Sequence, residues 1–60
     1  MDPDANLADQ EWTLQAAERG EPIDHAELSE LRQALYDWIR DGGFEPNWSA
    51  APLARKHYGK

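Results

Sequence analysis

The chain has no cysteine, only two histidines, and no apolar run near the eighteen residues that mark a membrane span. Without cysteine no disulfide can staple a small fold, and the redox compartment is left open. His25 and His57 stand far apart, with no Cys/His cluster at ligand spacing around either, so no metal site is expected. The Met-Asp-Pro-Asp-Ala-Asn start lacks the basic region and apolar stretch of a secretory signal, and the expected location is cytoplasmic. Glycine loops of the P-loop or dinucleotide type are missing. No serine or threonine has a histidine and carboxylate in suitable sequence context, so neither catalysis nor a cofactor is expected.

Sixty residues allow one domain, 1–60. A chain of this size buries only about 60% of its unfolded surface, and such domains usually add a disulfide, a metal or a partner subunit. With the first two excluded, close helix packing or burial against another chain remains. Three tryptophans favour packing, since one aromatic side chain buries roughly 150–250 Å².

Basic charge is also scarce, and what there is lies at one end. All twelve Asp and Glu fall in residues 1–45 with only Arg19, Arg32 and Arg40 against them, so this part carries −9. Residues 46–60 carry +3 from Arg55, Lys56 and Lys60. An acidic body opposes direct duplex binding, where phosphate contacts supply most of the non-specific affinity. It suits basic partners or simply solvated helix faces.

What is present is helical periodicity. Leu28, Leu31, Leu35, Trp38 and Ile39 recur at steps of three and four and predict a helix over about 25–41. Asp24 is placed to cap it, with Glu27 completing a capping box and Ile23 and Leu28 a hydrophobic staple. Gly42-Gly43 then supplies the left-handed stop.

A first helix is predicted over about 3–19, with Asp2 as cap, Pro3 in the first turn and Gly20 at the end. Its apolar residues form two stripes. Leu7, Leu14 and Ala17 share one side, while Ala5, Ala8, Trp12 and Ala16 share another, a third of a turn or more away at about 100° per residue. Two stripes imply two neighbours. The short Gly20–Ile23 link makes the helices antiparallel, so the first stripe should meet the apolar face of the second helix.

After Gly43 the pattern is aromatic and non-periodic. Residues 44–49 are read as an extended return segment, with Phe44 and Trp48 folded back onto the hairpin. Ser49 is a cap candidate for a short helix over about 50–58, with Leu53 and His57 or Tyr58 facing inward and residues 58–60 frayed. The expected fold is therefore all-α: an antiparallel helical hairpin with an aromatic C-terminal arm and a short third helix.

Three surfaces compete for function. Trp12, flanked by Ala8 and Ala16, offers a hot-spot aromatic among residues small enough for another backbone to approach. The expected cover for this stripe is the Phe44–Leu53 segment, and the competing one is a second molecule. Tyr36, read as lying on the outer side of the second helix, is a lesser candidate for the same role. Glu27, Glu30, Asp37 and Asp41 form an acidic ridge on that helix, and the Asp37/Asp41 pair reads as a solvated face rather than an acid–base site. The basic end, Arg55 to Lys60, carries too few charges for specific nucleic-acid contact and should lie near these ridges.

The leading expectation is a small, acidic, non-enzymatic interaction module or assembly subunit. It would work by helix-face contact with a protein partner or a copy of itself. The alternative is an acidic regulator that occupies a basic, nucleic-acid-binding surface on a partner protein.

Overall fold

A computed structural model describes residues 1–59. Its elements are α1 (Pro3–Glu18), α2 (His25–Arg40), one 3-10 turn (Trp48–Ala50) and α3 (Pro52–His57). No strand forms among the described residues, and the two long helices pack as the antiparallel hairpin that the periodicity predicts. No helix there is long and apolar enough to cross a membrane.

The helix ends follow from local chemistry. The Asp2 carboxylate accepts from the amides of Asp4 and Ala5 at 3.0 and 3.2 Å, and the Asp24 carboxylate from those of Ala26 and Glu27 at 3.0 and 3.1 Å. Each carboxylate meets donors that the first turn leaves without an intrahelical partner. At the far end of α2 the Gly42 amide donates to the Ile39 carbonyl at 3.1 Å and the Gly43 amide to Trp38 at 2.8 Å, a Schellman closure. Gly42 takes a φ of +93°, where a side chain would be strained. Gly43 is required by contact instead: a Cβ there would run into the Trp38 indole, which packs flush on this backbone and donates to the Phe44 carbonyl at 2.9 Å. The same closure ends α1, through bonds from Gly20 to Ala17 and from Glu21 to Ala16.

The core lies where all three helices converge. Leu7 of α1, Leu35 of α2, and Ala51 and Ala54 at the start of α3 are buried together, with Leu14, Trp38, Ile39, Trp48 and Tyr58 packed around them. Two alanines at the centre leave room for the α3 backbone to come in close. Leu28 is also buried.

The buried face of α1 is Pro3, Asn6, Leu7, Gln10 and Glu11, helical in spacing but largely polar in chemistry. Those polar groups hold the C-terminal arm. The Asp4 carboxylate accepts from the Asn47 amide at 2.7 Å, anchoring the return segment. The Glu11 carboxylate, 6% exposed, accepts from the amides of Ala54 at 2.9 Å and Leu53 at 3.0 Å. Glu11 thus caps α3 from a different helix. Gln10 is wholly buried; it accepts from the Tyr58 hydroxyl at 2.9 Å and donates to Asn6 at 2.7 Å. Asn6 in turn donates to the Leu31 carbonyl of α2 at 3.0 Å. One side-chain chain thus joins the end of α3, α1 and α2, with the buried amides of Asn6 and Gln10 both partnered.

Several expectations need correction. The third helix begins at Pro52 with Ala51 in the cap position, and Ala51 has no capping side chain of its own. Ser49 does not cap it. Its hydroxyl donates to Asn47 Oδ1 at 2.7 Å within the 3-10 turn, because Glu11 already serves the orphan amides. Trp48 does pack inward, but Phe44 remains 66% exposed, set edge-on to Trp38 with ring centres 5.5 Å apart. Tyr58 is not frayed, since its ring joins the core and its hydroxyl is bonded to Gln10. His57 is the exposed one of the pair. The expected fraying at Lys60 lies outside the described residues.

Candidate functional site

The Phe44–Leu53 segment does not cover the Trp12 stripe. It reaches only the upper edge, where Ala8 borders a depression shared with Asn47, Ala50 and Ala51. The reason lies in α1: the arm is drawn to Asp4, Glu11 and Gln10, and Trp12 stands between about a quarter and half a turn from them. Trp12 is consequently 70% exposed. Ala16, the lower flank, is half-buried beside the link between α1 and α2. There Trp12, Ala16 and Ile23 line a depression of about 250 Å³ with Glu21, Asp24 and Glu27. Glu21 is ion-paired to Arg19, and Asp24 accepts the two amides of its cap.

The other acidic candidates do not make one ridge. Asp37 accepts from Gln33 Nε2 at 2.9 Å and pairs with Arg40 at 3.3 Å; Asp41 meets the same guanidinium at 3.4 Å. Arg40 therefore offsets the charge at the C-terminal end of α2, while Glu27 and Glu30 stand exposed toward its start. The structure separates the four carboxylates into two chemically different groups. Arg55 and Lys56 make no ion pair with either group among the described residues.

Tyr36 is 43% exposed, but its face of α2 is not a bare outer side. The end of α3 docks there, with the Tyr36 ring centre 4.9 Å from Tyr58 and 5.8 Å from His57. Trp48 reaches Tyr58 from the 3-10 turn at 5.0 Å. Tyr36, Trp48 and Tyr58 line a second shallow depression with Ile39, Arg40 and Glu45. Burial pushes the Tyr58 hydroxyl above its ordinary 10.0. Burial, then the Arg32 charge, lowers His57 from its ordinary 6.5.

No cluster of three or more metal-ligating side chains forms among the described residues. The arrangement provides contact surfaces: an uncovered tryptophan beside carboxylates on one side, and a stacked aromatic set on another. Reading for apolar spacing missed Asn6, Gln10 and Glu11 altogether. The one available signal was negative: a helix starting at Ala51-Pro52 with no acceptor of its own needs a cap from elsewhere.

The fold and these surfaces define a small three-helix, all-α domain with polar residues at the joint between its first helix and its arm. Comparison with protein-family models, curated proteins and solved structures finds no match.

Proposed function

We propose that this chain is a small acidic, non-enzymatic interaction module that binds a protein through the Ala8–Trp12–Ala16 face of α1. One observation carries the reading: Trp12 is 70% exposed although the arm reaches the neighbouring Ala8 and the link borders Trp12 itself. Tryptophan is enriched among the residues that carry interface binding energy, and this one stands beside a depression. Assembly with a copy of itself is the same reading with a different partner. The second reading, an acidic regulator on a basic nucleic-acid-binding surface, draws support from the exposed Glu27 and Glu30 and loses the support of Asp37 and Asp41, which Arg40 engages.

Site-specific photo-crosslinking in the source cells tests the first reading. A photoreactive residue at Ala16 should give a discrete protein adduct that disappears with Trp12→Ala, whereas the same probe at the exposed Gln33 should not. Equal adducts from both positions, or none from Ala16, would refute it. An adduct of twice the chain's own mass would identify the partner as a second copy.

A further inference from the structure

We propose that the Trp12 depression receives a lysine or arginine side chain from a basic segment of a foreign protein. This rests on the interaction-module reading and adds the partner's chemistry. Trp12, Ala16 and Ile23 supply apolar surface, and Glu21, Asp24 and Glu27 line the same hollow with no cation among its lining residues. The indole face attracts a cation placed over it, and a carboxylate alongside gives that cation a second attraction.

The three carboxylates contribute unequally. Arg19 is ion-paired to Glu21, so that pair is neutral as a unit. Asp24 is turned to the first amides of α2, where it meets the positive end of the helix dipole and keeps that end from repelling an incoming cation. Glu27, exposed in the first turn of α2, is in neither arrangement and is the carboxylate that faces the guest. An aliphatic stem over Ala16 and Ile23 with its charged head between Trp12 and Glu27 fits a long basic side chain, which buries its methylenes and keeps its charge at the rim. A second copy is the poorer occupant, because it arrives with a net charge of −6 against this body.

The test is titration of the ¹⁵N-labelled full chain with a lysine- and arginine-rich decapeptide and, separately, with a neutral decapeptide of similar apolar content. The expected result is saturable shifts of the Trp12 indole N–H and of the Ala16 and Glu27 amides with the basic peptide, weakening as salt is raised. Trp12→Ala and Glu27→Gln should each weaken binding about two- to thirtyfold. Glu18→Gln, an acid outside the hollow, should leave it unchanged, and Trp12→Phe should retain most of it. Shifts spread evenly over all exposed carboxylates would overturn the proposal, as would salt-independent binding of the neutral peptide at Trp12. Neutral-peptide binding at Trp12 leaves the interaction-module reading standing, whereas failure of the Ala16 crosslink removes that reading itself. Salt-sensitive self-association abolished by Arg55→Glu with Lys56→Glu would assign the hollow to a second copy and refute the foreign partner.

Discussion

α1 and α2 have the same length, sixteen residues, and opposite ways of being buried. α2 turns a leucine face inward, with Leu28 buried, Leu35 fully enclosed, and Trp38 and Ile39 packed against the core beside Leu35. α1 encloses Asn6, Gln10 and Glu11 with Leu7, and these polar groups bond to the backbone and hydroxyl groups of other elements. The difference shows what each helix is packed against. A leucine face excludes water and has no preference for orientation, whereas a carboxylate on two amides holds one helix end in one place. α2 supplies the apolar burial, and α1 positions the arm.

This contrast predicts a graded set of failures. Leu35→Ala should do the most damage, because Leu35 is fully enclosed at the meeting of all three helices. A loss of about 2–5 kcal/mol is expected. In a domain this small that loss should appear in chemical denaturation as a largely unfolded chain, and a variant that melts like the parent would show that the leucine face is not the main source of stability.

Glu11→Ala should come next and should look different. It leaves the Leu53 and Ala54 amides without their acceptor, at a cost of about 1–3 kcal/mol. Chemical shifts should report loss of helix at 52–57 while α1 and α2 keep theirs. Equal loss in all three helices would mean that the arm is not a separately held unit. Glu11→Gln, which keeps one carbonyl acceptor, should fall between the two.

Tyr58→Phe should have the smallest effect, about 1 kcal/mol, since it keeps the ring and leaves one neutral acceptor, the buried Gln10 carbonyl, without its partner, where Glu11→Ala strands two amides. It also isolates a pH effect. The folded chain holds Tyr58 above its ordinary 10.0, so the folded state favours the protonated hydroxyl more than the unfolded state does. That contribution is fully present below pH 10 and is lost as pH rises through 10 and on past the raised value. Denaturation across this range should show an alkaline decline that is reduced in Tyr58→Phe. A parent and variant that decline alike would place the cause elsewhere.

The same contrast explains how far the chain could be read before folding. The second helix was legible because its burial is apolar and periodic, and its caps, Asp24 and Gly42-Gly43, act within a few residues of themselves. The first helix was legible in extent but not in facing. Leu7 and Leu14 marked the right side, yet its stripe is completed by residues that composition assigns to solvent. Ser49 was the natural cap in sequence because it is near; Glu11 is the cap in fact, forty-two residues from Leu53. Of the candidate surface residues, Trp12 emerged exposed, Tyr36 came to lie against the end of α3, and the acidic four separated into pairs.

Local order along the chain is enough to set the number of helices, their approximate limits, the hairpin and the uneven charge, because each depends on neighbours within one or two turns. Which side of α1 would be enclosed depends on contacts between residues about forty positions apart, as does the cap on α3. Once Asp4, Gln10 and Glu11 draw the arm to their side of α1, it stops at Ala8, and Trp12 is left bare.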